Sequence, residues 1–118
     1  MTRTPLPPRR NALTRYVVHT GANGGHQAYS VTFGVHDGRV MEIFCNSPKE
    51  GSDIQGLIND ACIAISVLLQ HGETAAGLAN MFGENRAEGS PSGPPSSPIG
   101  TIARIAAGID KETENNET

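Results

Sequence analysis

Residues 29–45 read YSVTFGVHDGRVMEIFC, and this stretch decides the fold. Its first five residues alternate between apolar or aromatic side chains and hydroxyl side chains, which is the period of a half-buried β-strand. The Asp37-Gly38 pair that follows favours a tight turn, because both residue types accept a positive φ. The stretch therefore predicts a β-hairpin with one apolar face.

The second strand of this hairpin is predicted from Val40 to Cys45. Successive side chains of a strand point to opposite faces, so Met41, Ile43 and Cys45 are expected on one face. The other face is expected to carry Val40, Glu42 and Phe44.

An earlier strand is predicted at Tyr16–Thr20, where β-branched and aromatic residues follow one another. The Gly- and Asn-rich segment Gly21–Gly25 has the composition of a turn and joins this strand to the hairpin. Short turns connect antiparallel strands, so we expect an antiparallel three-stranded β-meander.

Helices are predicted after the strands. Ser52 and Gln55 fit a capping box, and apolar residues recur at helical spacing as far as Leu69. The centre of this helix, residues 61–65, is apolar on all sides, which predicts a helix covered on more than one side. A second helix is predicted at Ala75–Phe82, and a third follows Ser97 as its cap and ends near Ile109.

This element order predicts an α+β fold, a three-stranded antiparallel β-meander followed by two or three helices packed on one face. Residues 1–12 are expected to form a flexible Arg/Pro-rich arm and residues 13–109 a single domain. Within that domain, residues 84–97 form a Gly/Pro/Ser loop. Residues 110–118 are expected to be an acidic disordered tail.

Composition narrows the function classes. At 118 residues the chain has room for one domain, and its net charge of −3 is not that of a general nucleic-acid binder. The longest apolar run, residues 61–69, is interrupted by Ser66 and is too short to span a membrane. No secretory signal is visible, so a cytoplasmic location is expected. A core this small also favours burial of the apolar helix against a second copy or a larger protein.

The histidines and cysteines are candidates for chemistry. His19 and His26 flank the first turn, where two imidazoles with an acid can hold a metal, but their spacing matches no closed metal motif. Cys45 and Cys62 lie in apolar patterns and are expected to be buried free thiols. We therefore expect no metal site and no catalytic residue.

A candidate anion site lies at the start of the long helix. Lys49 supplies a positive charge, Gly51 allows close approach, and the helix start at Ser52 presents N–H groups that favour an anion. One interpretation of these residues is a binding site for a phosphate-bearing ligand such as a nucleotide. The other is plain helix capping.

A set of short motifs occurs along the chain in a fixed order. It consists of Leu6–Arg10, Gly25, Tyr29, Asp37-Gly38, Glu42-Ile43-Phe44, Lys49–Ser52 and Gly72. In this order, and over roughly residues 6–109, the motifs resemble the TSCPD domain. That domain occurs near the C-terminal end of adenosylcobalamin-dependent (class II) ribonucleotide reductases and in small stand-alone proteins.

The sequence departs from the family at the pentapeptide that names it. Where the family has Thr-Ser-Cys-Pro-Asp, this chain has Pro95–Ile99, with Ser97 in place of the cysteine and Ile99 in place of the aspartate. A metal-binding or electron-relaying role of that cysteine is not open to Ser97, whereas capping of the following helix is.

The resemblance implies a link to deoxyribonucleotide synthesis. The reductases' catalytic cysteines lie in a barrel that this chain does not contain, so a non-catalytic accessory or partner-binding module is the first reading. Its partner would be a ribonucleotide reductase or another nucleotide-metabolism protein, with adenosylcobalamin bound only by the full-length reductases. The alternatives are a trans-acting part of a split ribonucleoside-diphosphate reductase and a nucleic-acid-associated module that uses the arginines of residues 3–15.

Overall fold

The computed structural model describes Arg3, residues 11–46 and residues 53–116, the last three without their side chains. Three antiparallel strands in the order β1-β2-β3 form one sheet, and three helices follow, which confirms the predicted α+β fold. The elements are β1 (Asn11–Thr20), β2 (His26–His36), β3 (Arg39–Cys45), α1 (Asp53–Gln70), α2 (Ala75–Met81) and α3 (Pro98–Asn116).

The β2–β3 connection is the predicted two-residue turn. Asp37 and Gly38 have φ angles of 52° and 77°, and His36 pairs with Arg39 on either side of them. Positive φ at both central positions defines the hairpin turn whose twist matches that of the strands. The Asp-Gly pair therefore sets the register of the hairpin.

A β-bulge changes one predicted face of β3. Gly34 pairs with Glu42, whereas Val35 pairs with Val40, so one residue of β3 is left without a cross-strand partner. Both Val40 and Met41 are buried as a result. The prediction that Val40 shares the outer face with Glu42 is therefore wrong, because strict alternation breaks at the bulge.

The core lies between one face of the sheet and the helices. β1 and β2 contribute Val17, Tyr29, Val31 and Phe33, and β3 adds Val40 and Ile43. The helices contribute Ile58, Cys62, Ile65, Leu69, Ala75, Leu78, Ile102, Ala106 and Ile109.

Side chains of α1 and α3 form hydrogen bonds with backbone groups along the edge of β3 that does not pair with β2. Ser66 Oγ accepts a hydrogen bond from Ile43 N at 2.9 Å and donates to Cys62 O at 2.8 Å. Gln70 Nε2 donates to Met41 O at 3.1 Å. From α3, Asp110 Oδ1 accepts from Val40 N at 2.7 Å. Because an unpaired strand edge is costly when buried, these bonds determine where α1 and α3 lie.

The observed bounds of β1 and α3 differ from the predicted boundaries of the arm and the tail. β1 begins at Asn11, so the last two residues of the predicted arm belong to the sheet. Arg3 donates a hydrogen bond to Gln70 Oε1, and the rest of residues 1–10 lies outside the described part. α3 continues to Asn116, so a disordered tail from residue 110 is wrong over most of its length.

The described chain covers α1 on one side. Ile54, Leu57 and Leu68 are 58%, 69% and 43% exposed on the side away from the core. The prediction of a helix covered on more than one side therefore does not hold for the residues that the structure describes. No helix in the described ranges is long and apolar enough to cross a membrane.

We predict that Ser66→Ala lowers the free energy of unfolding by about 1–3 kcal/mol, because it leaves the buried Ile43 N–H without an acceptor. Chemical denaturation measures this. Ser90→Ala, on the exposed loop, is the control and should change the free energy by less than about 0.5 kcal/mol. Equal effects of the two substitutions would contradict the edge-covering role of Ser66.

Candidate functional site

The predicted anion-binding residues lie outside the described part of the chain. Residues 47–52 include Lys49, Gly51 and Ser52, and the described part of α1 begins at Asp53. The phosphate site and plain helix capping therefore both stay predictions.

The two histidines near the first turn do not converge. His26 pairs with Thr20 and His19 with Gln27, so the two imidazoles lie on opposite faces of the sheet. His19 is buried, and its Nδ1 lies 2.8 Å from Thr101 Oγ1. In the described ranges, no group of three His, Cys, Asp or Glu side chains is placed to hold one metal ion.

The two cysteines are free, and their environments differ. Burial, together with the nearby Cys45, raises the pKa of Cys62 to about 12, so its thiol stays protonated at neutral pH. Cys45 is half-buried, and Gln55 Nε2 approaches its Sγ at 3.5 Å. The prediction of a buried core thiol is confirmed for Cys62 and holds only partly for Cys45.

The segment that replaces the Thr-Ser-Cys-Pro-Asp pentapeptide caps α3. Ser97 Oγ accepts a hydrogen bond from Gly100 N at 3.1 Å, and the helix begins at Pro98. The preceding residue, Ser96, donates from its backbone N to Gly83 O at 3.0 Å. The predicted capping role of Ser97 is therefore confirmed, and the segment is also tied to the end of α2.

The loop before α3 is closed by a carboxylate. Glu84 accepts hydrogen bonds from Arg86 at 3.0 Å, from Arg104 of α3 at 2.7 Å and from Gly93 N at 3.4 Å. Arg104 also donates to Gly93 O at 2.8 Å. A Cβ atom at Gly93 would lie 2.1 Å from Asn85 O, so only glycine fits there. These contacts hold the predicted Gly/Pro/Ser loop of residues 84–97 in a compact arrangement.

The hydrogen bonds to Glu84 change its acidity. The bond from Arg86, followed by that from Gly93 N, lowers the pKa of the Glu84 carboxyl below its ordinary value of 4.5. Glu84 therefore stays ionised and keeps the loop attached to Arg104 as the pH falls toward that value.

A groove of about 630 Å³ lies between α2 and α3, next to this loop. Its lining combines small residues with charged side chains of both signs. Sequence reasoning missed it, because the two walls come from helices that are separate in the chain. It is lined by Ala76, Ala79, Asn80, Glu84, Arg104, Ala107, Gly108, Asp110 and Lys111.

The outer face of the sheet carries exposed aromatic side chains. It is formed by the even-numbered residues of β1 and β2 with Arg39, Glu42 and Phe44 of β3. Tyr16 is 82% exposed, Val18 54% and Phe44 46%. Hydroxyl and amide groups lie among them: Thr14 Oγ1 and Thr32 Oγ1 are 2.9 Å apart, and Asn46 Nδ2 donates to Thr32 Oγ1 at 2.7 Å. The described helices pack against the opposite face.

Comparison with known proteins gives one family. A model of the TSCPD domain matches residues 2–108. A vitamin B12-dependent ribonucleotide reductase from Bradyrhizobium diazoefficiens is 37% identical over 92 residues, which is 78% of this chain and 7% of that protein. The corresponding protein from Agrobacterium fabrum is 40% identical over 70 residues, 59% of this chain and 5% of its own length.

A third vitamin B12-dependent ribonucleotide reductase, from Rhodopirellula baltica, is 34% identical over 86 residues, which is 73% of this chain and 8% of that protein. The chain therefore spans less than a tenth of the length of each of these three relatives. No solved structure matches the chain.

We predict that the stability of the folded chain falls as the pH drops below about 4.5, and that Glu84→Gln flattens this dependence. The native carboxyl has the lower pKa, so the unfolded state binds the proton first, and Glu84 stabilises the fold above its unfolded pKa. Thermal melts across an acid pH series measure this. Glu88→Gln, an exposed carboxylate of the same loop, is the control. A Glu84→Gln profile parallel to the wild type would contradict the prediction.

Proposed function

The chain belongs to the TSCPD domain family, and from this premise we propose that it is a non-catalytic accessory module that docks on a vitamin B12-dependent ribonucleotide reductase. Its relatives are named for the whole reductase, and the matching segment is 8% of their length or less. In these relatives the matching segment is part of the same polypeptide as the rest of the reductase, and this supports docking on such an enzyme.

The outer face of the sheet is the observation that carries the proposal. Exposed apolar patches with a polar surround mark interaction sites, and tyrosine is enriched where partners bind. Tyr16 and Phe44 supply aromatic anchors, and the neighbouring hydroxyls supply hydrogen-bonding groups. This face is therefore the docking surface that we propose for the reductase.

The charge of this face favours a protein partner. Its described residues include two charged side chains, Glu42 and Arg39, the second of which lies opposite His36 at the hairpin end. The Arg39 guanidinium donates a hydrogen bond to Glu73 O at 3.0 Å. Binding of a nucleic-acid backbone depends on several lysines and arginines that neutralise phosphates, and this face has one such side chain among its described residues. A sparsely charged aromatic surface suits a protein surface of similar polarity better.

The buried thiol supports a structural role for the chain. The raised pKa of Cys62 keeps it in the protonated form, whereas thiol chemistry requires the thiolate. Cys62 packs against Ile58, Ile65 and the sheet as part of the core. This agrees with a module that contributes contacts to a reductase.

We predict that Tyr16→Ser combined with Phe44→Ser weakens binding to a B12-dependent reductase that lacks its own TSCPD region by about tenfold or more. The physical reason is the loss of two aromatic anchors. Biolayer interferometry measures the affinity, and thermal melts should be nearly unchanged because both side chains are exposed. Met81→Ser, a 73% exposed side chain on α2, is the matched control and should bind like the wild type.

A wild-type chain that does not bind the reductase would overturn the proposal. Binding that restores nucleotide reduction to the truncated enzyme would instead favour the trans-acting part of a split ribonucleoside-diphosphate reductase. Binding to short DNA that weakens steeply with salt would favour the nucleic-acid-associated module.

The ligand of the module is proposed from sequence. Lys49, Gly51 and Ser52 have the composition of a phosphate site at a helix start, and a nucleotide is the ligand class that we propose for them. Lys49→Ala is expected to weaken nucleoside triphosphate binding, measured by calorimetry, without lowering the melting temperature. Lys111→Ala, at a lysine that lines the α2–α3 groove, is the control. A lower melting temperature with unchanged binding would show plain capping instead.

A further inference from the structure

The outward side of α1 has the spacing of a helix-pairing seam. Ile54, Leu57, Ala61, Ala64 and Leu68 follow one another at intervals of three, four, three and four residues. We infer that this seam binds a second copy of the chain, with the two α1 helices antiparallel about a two-fold axis near Ala61.

The seam is separate from the face that α1 turns to the core. Leu57 is 69% exposed and Ile54 58%. By contrast Ile58, which follows Leu57, and Ile65, which follows Ala64, are buried in the core. α1 is thus apolar on two sides, of which the described chain covers one. A heptad seam of this kind is complementary to another helix, because the 3-4 interval keeps one stripe in contact along both helices.

Charge is nearly absent from α1. Its 18 residues contain two charged side chains, Asp53 and Asp60, and both lie on the same flank of the seam. Helices that face water on one side normally carry many charges there. The composition of α1 is that of a helix with contacts on two sides.

The sizes of the seam residues select a second copy as the occupant. In an antiparallel pair about Ala61, Leu57 of one copy packs over Ala64 of the other, and Ile54 lies near Leu68. Ala61 meets Ala61 at the axis, which lets the backbones approach closely. A two-fold interface requires such self-complementarity. In a parallel pair, Leu57 would meet Leu57 while two alanine layers left a gap.

The length of the seam sets the strength of the pair. From Ile54 to Leu68 the helix rises about 21 Å. A single helix pair of that length buries less than the roughly 800 Å² per partner of a standard interface, so the dimer is expected to depend on concentration in the micromolar range. The two copies of Asp60 lie near the axis on one flank, and their repulsion weakens the pair further.

Sedimentation velocity across micromolar concentrations tests the inference with the full chain. The wild type should shift from monomer to dimer as its concentration rises, and Leu57→Glu should raise the dissociation constant by about tenfold or more. Asp60→Asn should lower it severalfold. Met81→Ser, exposed but outside the seam, is the control. Thermal melts of the dilute proteins check that each variant folds.

Disulfide trapping tests the orientation. Under mild oxidation, Ala61→Cys should cross-link the two copies above the wild-type background. Leu57→Cys should not, because its two copies lie far apart in an antiparallel pair. Ile63→Cys, exposed on α1 outside the seam, is the control. Equal trapping of Leu57→Cys and Ala61→Cys would overturn the antiparallel arrangement.

A wild type that stays monomeric at all concentrations, or a Leu57→Glu variant that dimerises like the wild type, would overturn the inference altogether. These outcomes are distinct from a failure of reductase docking. Leu57→Glu leaves the outer face of the sheet intact, and the Tyr16 and Phe44 substitutions leave the seam intact.

Discussion

The free edge of β3 is the constraint on which the rest of this structure depends. Its backbone groups lie inside the protein, where an unsatisfied N–H or C=O is costly. Ser66 and Gln70 of α1 bond to Ile43 and Met41, and Asp110 of α3 bonds to Val40. A helix with only apolar residues at these positions would bury the edge and leave its backbone N–H and C=O groups without hydrogen bonds. These three polar side chains therefore determine which side of each helix faces the sheet.

Two surfaces are left uncovered by this arrangement in the described part of the chain. The side of α1 that carries Ser66 and Gln70 faces β3. The seam along Leu57 and Leu68 therefore faces outward. The helices also occupy one face of the sheet, which leaves Tyr16 and Phe44 exposed on the other. A small domain cannot bury all of its apolar surface by itself. Here much of the remainder lies in two separate patches, the α1 seam and the outer face of the sheet, for which we propose a second copy and a larger partner.

Short sequence motifs predicted most of the strands and helices, but fewer of the contacts between them. The Asp37-Gly38 turn, the cap at Ser97 and the end of α1 before Gly72 each depend on a few adjacent residues, and the structure has them all. The face of Val40 was missed because the bulge depends on pairing with β2. The last two turns of α3 were missed because their residues are polar. The predicted anion site at Lys49 lies outside the described residues, so the structure does not bear on it.

The sequence by itself determined the α+β class, the strand order and the apolar periodicity of the helices, because turn chemistry and side-chain alternation are properties of neighbouring residues. The tertiary structure alone decided which backbone groups Ser66 and Asp110 satisfy, how Glu84 closes the loop onto Arg104, and where the α2–α3 groove lies. It also decided which side of α1 remains open. The physical reason is that these contacts join residues far apart in the chain, and periodicity reports the faces of an element without identifying its neighbours.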